Sequence, residues 1–192
     1  MFQKTISKEE LSELPFTQFG GDIHLIEKEE ELEFAINYLQ KQELIGFDTE
    51  TRPSFKKGKI NKVALLQLSG DDKAFIFRLN KLGLPDRIAG LLSDASKKKV
   101  GVAIRDDIKI LRKLTAFEPA GFLELQEYVK EFGIENFSLK KLAGIVLGVR
   151  ISKSQRLTNW EAEILTPAQL SYAATDAWIS AEIYRALQTS GN

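Results

Sequence analysis

Two carboxylates at the end of an apolar segment constrain this chain more than any other feature of its sequence. The segment Leu44–Thr51 starts as a buried strand and carries Asp48 and Glu50, and side chains two residues apart in a strand project from the same face. Two like charges buried side by side are costly, and at least one would be protonated unless an opposite charge lay between them. A divalent cation bound by both carboxylates resolves the conflict.

The residue types available as ligands favour a hard cation. The chain contains no cysteine, and His24 is its single histidine. A site built from oxygen ligands favours Mg²⁺ or Mn²⁺ over zinc or copper. His24 itself lies in the first predicted strand, where we expect a structural role.

Length and composition predict one soluble domain. The 192 residues, 43% of them hydrophobic, are enough for a sizeable core, and no apolar run approaches the roughly 20 residues that span a bilayer. The N-terminal sequence lacks the apolar core of a secretion signal, so we expect a cytoplasmic protein without membrane association. Lysine plus arginine equals aspartate plus glutamate at 27 each, so a polyanionic partner must be bound by local contacts rather than by a long-range field.

The pattern along the chain is typical of an α/β fold with a mixed sheet. Residues 1–20 end at Gly20-Gly21 and are interpreted as an N-terminal extension that packs on, or frays from, a domain of residues 21–192. Gly70-Asp71-Asp72 predicts a hairpin turn. Strands are predicted near residues 23–26, 44–50, 62–69, 74–78, 99–103 and 121–125, and helices near 28–40, 85–93, 106–114, 126–132, 139–147 and 167–187.

A second acidic position follows the strand predicted at residues 99–103. Asp106 and Asp107 are adjacent in sequence, and helical spacing separates their directions. Asp107 shares a face with Ile110 and Leu111 and therefore points inward. Asp106 aligns with Lys109 and can pair with it in the first helical turn. We therefore expect Asp107 to act in the site.

The third acidic position lies in a helix that begins at Thr166-Pro167, where a capping residue precedes proline at the first helical position. Tyr172 and Asp176 are four residues apart and share one face of this helix. Aspartate is a poor residue for a helix interior, so Asp176, which lies among alanines, requires a metal or an arginine as its partner.

Taken in order, Asp48-Thr49-Glu50, Asp107 with the residues after it, and Tyr172-x3-Asp176 resemble the three motifs of the DEDDy branch of the DnaQ-like 3′→5′ exonucleases. The segments Ser138–Leu142 and Leu157–Trp160 are similar to those of the RNase D and Werner-syndrome-exonuclease subgroups. The resemblance extends over roughly residues 21–188. Because the chain stops soon after the third motif, we expect a compact exonuclease without the additional C-terminal helical domains of RNase D.

This resemblance implies a ribonuclease-H-like fold with a mixed sheet of about five strands flanked by helices. It implies that two divalent cations, Mg²⁺ or Mn²⁺, are held by Asp48, Glu50, Asp107 and Asp176. Tyr172 would lie beside them and orient a water, with one ion activating that water and the other stabilising the leaving 3′ oxygen. The implied reaction is hydrolysis of phosphodiester bonds at nucleic-acid 3′ ends, which releases nucleoside 5′-monophosphates.

The expected partner is single-stranded or 3′-recessed DNA or RNA, with no obligate protein partner evident. Thr49, Lys56, Lys57 and Trp160 are the candidate substrate contacts. The two lysines follow directly after the strand that carries the first two acids. Trp160 is either a packing residue or a platform on which a base stacks.

Two alternatives stay open. One is a nucleic-acid-binding module of the same fold that has lost catalysis, although such a module would not need all four carboxylates and Tyr172. The other is a structural carboxylate cluster paired with lysine or arginine, which would neither bind Mn²⁺ nor gain stability from it.

Overall fold

The computed structural model describes residues 2–53 and 61–190. The strands in this part of the chain are β1 (Asp22–Ile26), β2 (Leu44–Thr51), β3 (Val63–Ser69), β4 (Lys73–Arg78), β5 (Lys98–Gly101) and β6 (Phe122–Glu124). The α-helices are α1 (Lys8–Glu13), α2 (Leu32–Leu39), α3 (Leu79–Leu82), α4 (Asp86–Leu92), α5 (Ile104–Arg112), α6 (Leu125–Tyr128), α7 (Leu139–Leu142) and α8 (Pro167–Ser190).

The strands form one six-stranded sheet in the order β1-β4-β3-β2-β5-β6. β3 runs antiparallel to both of its neighbours, and the predicted hairpin turn joins it to β4. The pairs β1 with β4, β2 with β5, and β5 with β6 are parallel. The mixed sheet confirms the predicted α/β architecture. Its six strands match the six predicted segments, whereas the family resemblance implied about five, and the sixth is the short β6 at the edge of β5.

Helices cover both faces of the sheet. Helix α8 lies over β2 and β3, while α2, α4 and α5 pack their apolar side chains on the other face, around Phe47. No side chain separates α8 from β2 at Gly46, since a Cβ added there would lie 2.0 Å from the carbonyl oxygen of Ala177. This contact between two main chains brings the middle of α8 next to β2, two residues before Asp48.

The N-terminal segment is packed into the folded unit. The buried side chains of Ile6 and Leu11 lie against Gly144, where an added Cβ would come within 2.6 Å of Leu11 Cδ1. Further along, the main-chain N–H of Thr17 donates to the carbonyl of Arg150 at 2.9 Å. The segment therefore packs on the domain, which decides between the two possibilities that the sequence left open.

Several helical elements differ from the predictions, and the short α3 was not predicted at all. Helix α1 lies in the predicted extension and begins with a capping box between Ser7 and Glu10, a signal that periodicity does not detect. The helix predicted at residues 28–40 opens with a 3₁₀ turn, Glu29–Glu31, before α2. The helix predicted at residues 139–147 ends in a π-helical turn, Ala143–Leu147. Among the helices of the described residues, none has the length and apolar character that a membrane span requires.

Candidate active site

Three carboxylates converge where α8 crosses β2. Asp48 and Glu50 project from β2 toward the helix, and Asp176 points down from the middle of α8. One oxygen from each of the three carboxylates can be chosen so that all lie within 4.8 Å of one another. The predicted pairing of the first and third motifs is thus a feature of the fold, and the contact at Gly46 sets the distance between them.

The start of α8 is fixed by a reciprocal cap. The Gln169 N–H donates to Thr166 Oγ1 at 3.2 Å, and the Thr166 N–H donates to Gln169 Oε1 at 3.0 Å. The same glutamine donates from Nε2 to Thr158 Oγ1 at 3.0 Å, which ties the preceding segment to the helix. Because the helix begins at the predicted proline, Tyr172 and Asp176 lie one turn apart on the face that covers β2.

Asp107 reaches the site from α5. The hydroxyl of Thr49 donates to Asp107 Oδ1 at 2.6 Å, and the carboxylate raises the pKa values of Asp48 and Glu50 by its charge. Asp106 is exposed and pairs with Lys109 at 2.8 Å. The structure therefore gives the two aspartates the directions that helical spacing predicted.

A strained junction aims α5 at the site. Ala103, between β5 and α5, has a φ of 60°, a left-handed conformation that non-glycine residues rarely adopt. The Glu124 carboxylate accepts hydrogen bonds from the N–H groups of Ala103 at 2.8 Å and Ile104 at 2.7 Å. These bonds satisfy the first donors of the helix and hold the junction in place. Sequence analysis missed this role of Glu124, since no local pattern links it to residues 103 and 104.

The clustered acids retain protons in the absence of a cation. Burial raises the pKa of Asp48 well above its usual range, and the charges of Asp176 and Glu50 raise it further. Burial, together with Asp176 and Asp107, raises the pKa of Glu50 to about 8. Burial raises the pKa of Asp176 to about 7. Burial and mutual repulsion thus disfavour the charged forms of these carboxylates. A divalent cation bound between them would supply the positive charge that favours ionisation.

Tyr172 lies beside the acids on top of Trp160. The two rings are tilted, with centroids 5.9 Å apart. Burial and the charges of Asp176 and Glu50 raise the pKa of the Tyr172 hydroxyl far above its ordinary value. The hydroxyl therefore stays protonated and serves as a hydrogen-bond donor.

Two basic side chains that sequence analysis did not select lie next to the acids. The charge of Arg156 offsets part of the rise that burial causes in the pKa of Glu50, and the charge of Lys153 does the same for Asp176. Lys153 also lies close enough to Lys140 and Arg156 for their charges, together with its own burial, to lower its pKa. We call this group of four positively charged side chains the basic patch; its members are Lys140, Lys141, Lys153 and Arg156. In the sequence, the signal that could have indicated this patch is the pair of basic residues, Lys153 and Arg156, shortly before Leu157–Trp160.

The segment between Trp160 and α8 is anchored by a buried arginine. Arg78 is fully buried and donates to the carbonyls of Ala162 at 2.6 Å and Glu163 at 3.3 Å. It also pairs with Glu27 at 3.1 Å. Arg78 thus fastens the stretch between Trp160 and α8 to the sheet.

The candidate substrate contacts are partly corrected. Lys56 and Lys57 lie outside the described residues. Trp160 is fully buried, so its ring has no free face for a base and takes the packing role. The Thr49 hydroxyl is bonded to Asp107, so it positions an acid instead of projecting toward substrate.

Two cavities meet at Tyr172 and Asp176. One has a volume of about 290 Å³, and its polar lining includes Gln126, Ser138, Lys140, Lys153 and Arg156. The other has a volume of about 150 Å³, and its lining includes Phe16, Thr17, Gln18, Ser152, Ser154 and Ser171. The acids are therefore open to one positively charged space and one neutral, hydroxyl-rich space.

Comparison with known proteins agrees with this geometry. A family model described as 3′-5′ exonuclease matches residues 23–192. The chain belongs to the 3′-5′ exonuclease family. Within that family it is similar to the bifunctional 3′-5′ exonuclease/ATP-dependent helicase WRN of Mus musculus, with 33% identity over 190 residues, 93% of this chain and 14% of that protein. It is 36% identical over 155 residues to exonuclease 3′-5′ domain-containing protein 2 of Drosophila melanogaster, 79% of this chain and 26% of that protein.

A solved structure of the family shares the fold over nearly its whole length. The EXO domain of Aedes aegypti Nibbler superposes with a TM-score of 0.80 at 26% identity, covering 90% of this chain and 91% of that chain. The two curated relatives are much longer than the stretch they share with this chain. Family membership and the ribonuclease-H-like fold are confirmed, as the ordered motifs predicted.

Proposed function

We propose that this chain hydrolyses phosphodiester bonds from the 3′ end of DNA or RNA and releases nucleoside 5′-monophosphates with the help of two divalent cations. The observation that carries the proposal is the convergence of Asp48, Glu50 and Asp176 within 4.8 Å in a chain of the 3′-5′ exonuclease family. Single-stranded or 3′-recessed substrates, a cytoplasmic location and independence of an obligate protein partner belong to the same proposal.

The donor set fits Mg²⁺ or Mn²⁺. Asp48, Glu50 and Asp176 offer only oxygen ligands, and Asp107 adds a fourth carboxylate whose orientation is fixed by Thr49. Hard divalent cations prefer such ligands. When bound, the two cations supply an activated water and charge stabilisation for the leaving oxygen.

The protein side chains would order the groups that react around the scissile phosphate. A water oxygen bonds to phosphorus, and the bond from phosphorus to the 3′ oxygen of the preceding nucleotide breaks, so that the 3′ oxygen receives a proton. The protonated Tyr172 hydroxyl, held between Trp160 and Asp176, would donate a hydrogen bond that orients this water. Its raised pKa argues against a role as the base.

The basic patch would bind the phosphates of the strand. Lys153 and Arg156 lie within electrostatic reach of Asp176 and Glu50, so a phosphate bridging these groups would be near the acids. Lysine and arginine at this distance neutralise phosphate charge and set its position without reading a base. Because the chain has balanced formal charge, this local contact would replace a long-range attraction.

The proposal is tested with 5′-labelled oligonucleotides incubated with Mg²⁺ or Mn²⁺ and sized by electrophoresis. Single-stranded DNA, single-stranded RNA and 3′-recessed duplexes form separate arms, which also determine the preferred substrate. We expect a descending ladder from free 3′ ends, and no product from strands blocked at the 3′ end. Asp176→Asn, which preserves side-chain volume, is the matched inactive control.

Internal fragments from a circular single strand would contradict the exonuclease assignment. Strand binding without any cleavage, in the presence of either cation, would instead support the binding module that has lost catalysis. Failure of Mn²⁺ to bind or to raise the melting temperature would indicate the structural carboxylate cluster.

A further inference from the structure

Gln67 is a buried polar residue that lies beside the acids and has no role in the site described so far. It sits in the middle of β3 and is fully buried. In the sheet it is directly opposite Asp48 on β2 and Ile76 on β4. Directly opposed residues of antiparallel strands project to the same face with Cβ atoms about 4.5–5.5 Å apart. The Gln67 side chain therefore points to the face that carries Asp48.

The amide of Gln67 is unsatisfied. Within residues 2–53 and 61–190, neither its Nε2 nor its Oε1 has a hydrogen-bond partner. Buried side-chain amides in native proteins are nearly always paired, and an exception calls for a specific explanation. The amide can therefore take a partner from the site when the side chains there rearrange.

The surroundings of Gln67 leave Asp48 as that partner. Around this face, Leu65, Ala173 and Ala174 offer no polar side-chain atom, and Trp160 of the same cluster carries only an N–H donor, which cannot accept a hydrogen bond from Nε2. Ser69, the next residue of β3 on the same face, donates its hydroxyl to the carbonyl of Gly70 at 3.0 Å. Asp48 is the in-register neighbour whose side chain carries acceptor oxygens.

We propose that Gln67 is a positioning residue, which donates a hydrogen bond from Nε2 to the Asp48 carboxylate and holds that carboxylate in its cation-binding orientation. This inference rests on the proposed metal site. A carboxylate that binds a cation through one oxygen keeps lone pairs free, and a donor placed on them fixes its rotation. Groups that orient metal ligands in this way typically contribute a factor of about 10–100 to metal affinity.

The test is Mn²⁺ titration of the full chain by calorimetry, comparing the parent with Gln67→Met. Methionine keeps the length and approximate volume of glutamine but has no N–H donor. We expect Mn²⁺ affinity to fall by about 10–100-fold, while the metal-free melting temperature holds or rises because an unsatisfied amide is removed. At limiting Mn²⁺ the variant should lose turnover, and additional Mn²⁺ should restore it with KM for the oligonucleotide unchanged.

Two further variants keep the result interpretable. Ser69→Ala removes a buried polar group from the same face two residues away and should leave Mn²⁺ affinity at the parent value. Gln67→Asn keeps the amide but shortens its reach by one methylene, so its Mn²⁺ affinity should also fall, and it serves if Gln67→Met does not fold. Parent-like Mn²⁺ affinity in a folded Gln67 variant would overturn the positioning role. Absence of Mn²⁺ binding by the parent would instead overturn the metal site itself, and the role of Gln67 with it.

Discussion

Individual carboxyl groups in this chain are placed where their charges oppose the folded state. Asp48, Glu50 and Asp176 share a buried space, and the raised pKa values of all three show that ionisation there is unfavourable without a counter-charge. An arrangement that costs stability at neutral pH is typical of a site selected for binding rather than for folding. The consequences can be measured one residue at a time.

The free energy of unfolding of the metal-free chain should fall as pH rises. Between the ordinary carboxyl pKa of about 4 and the Glu50 pKa of about 8, the folded state binds more protons than the unfolded state. The stability that these protonated acids contribute is therefore fully present below this window. It is lost as pH rises through the pKa of Asp176 at about 7 and that of Glu50 at about 8. Thermal unfolding in a chelating buffer across pH measures the slope. Asp48→Asn should flatten it, and an unchanged slope in that variant would contradict the clustered charges.

The neighbouring aspartates should differ in effect. Asp107→Asn should lower turnover by several orders of magnitude, because it replaces with a neutral amide the carboxylate that the Thr49 hydroxyl orients beside the other acids. Asp106→Asn is the matched control on the same helix, and its exposed pair with Lys109 predicts little change in stability and parent-like turnover. Turnover and melting temperature of both variants decide the assignment. A large loss of turnover in Asp106→Asn would show that it is wrong.

Tyr172→Phe should slow the chemical step and leave metal and substrate binding nearly intact. The hydroxyl is a donor and not a base, because burial and nearby carboxylates raise its pKa far above the ordinary value. Loss of one oriented donor typically costs about 10²–10³-fold, and single-turnover rates measure it. The pH profile of the rate should keep its shape, since no titration of tyrosine contributes to it. A Phe variant as fast as the parent would reduce Tyr172 to a packing residue.

At the scale of elements, the site depends on the distance between α8 and β2. Gly46 on β2 permits direct contact with the main chain of Ala177 on α8. Asp48 lies two residues after Gly46, and Asp176 lies one residue before Ala177, so this contact brings the two acids together. A change that lifts the helix separates the acids without altering any of them. The element spacing is therefore part of the active site.

Gly46→Ala should destabilise the fold and weaken Mn²⁺ binding together. A methyl group placed 2.0 Å from the Ala177 carbonyl oxygen must displace α8, and overpacking of this kind costs about 1–3 kcal/mol. Gly90→Ala is the control, because an added Cβ in α4 meets nothing within 4 Å and should stabilise the chain by about 0.4–1 kcal/mol. Chemical denaturation and Mn²⁺ titration measure the two effects. Parent-like Mn²⁺ affinity in Gly46→Ala would show that the spacing is not critical.

Sequence patterns located the elements that hold the acids but not the contacts that aim them. Asp48 and Glu50 share a strand face, and Tyr172 and Asp176 share a helix face, because two- and four-residue spacings are local geometry. Glu124 and Arg78 act on residues distant in sequence, so no spacing reveals them. The burial of Trp160 is likewise a tertiary property, which is why its packing and stacking roles stayed undecided until the fold was known.

At the scale of the whole molecule, the N-terminal segment and helix α8 belong to one packed unit. Ile6 and Leu11 are buried in the same core as Ile179 and Ile183 of α8. Phe19 N–H also donates to Thr175 Oγ1 at 3.0 Å, next to Asp176. The segment therefore stabilises the helix that carries the third motif.

Leu11→Ala should destabilise the entire chain and not only the segment. Truncation of a buried leucine typically costs about 2–5 kcal/mol, and Leu11 is buried against Gly144. Ser12→Ala is an exposed neighbour in the same helix and should change stability by less than about 0.5 kcal/mol. Denaturation followed by far-UV and near-UV signals should give one shared transition for Leu11→Ala. Separate transitions would identify residues 2–19 as an independent extension.

The basic patch has a kinetic consequence for a protein with balanced formal charge. Four positive side chains lie in one place, while the formal net charge of the chain is zero. Non-specific binding to the interior of a nucleic-acid strand should therefore be weak. Sliding along a duplex relies on many non-specific phosphate contacts, and a chain with 27 basic and 27 acidic residues has no excess positive charge to favour them. An exonuclease built in this way would find strand ends by repeated three-dimensional collision, so its rate at low substrate would follow the concentration of ends and not the total length of nucleic acid.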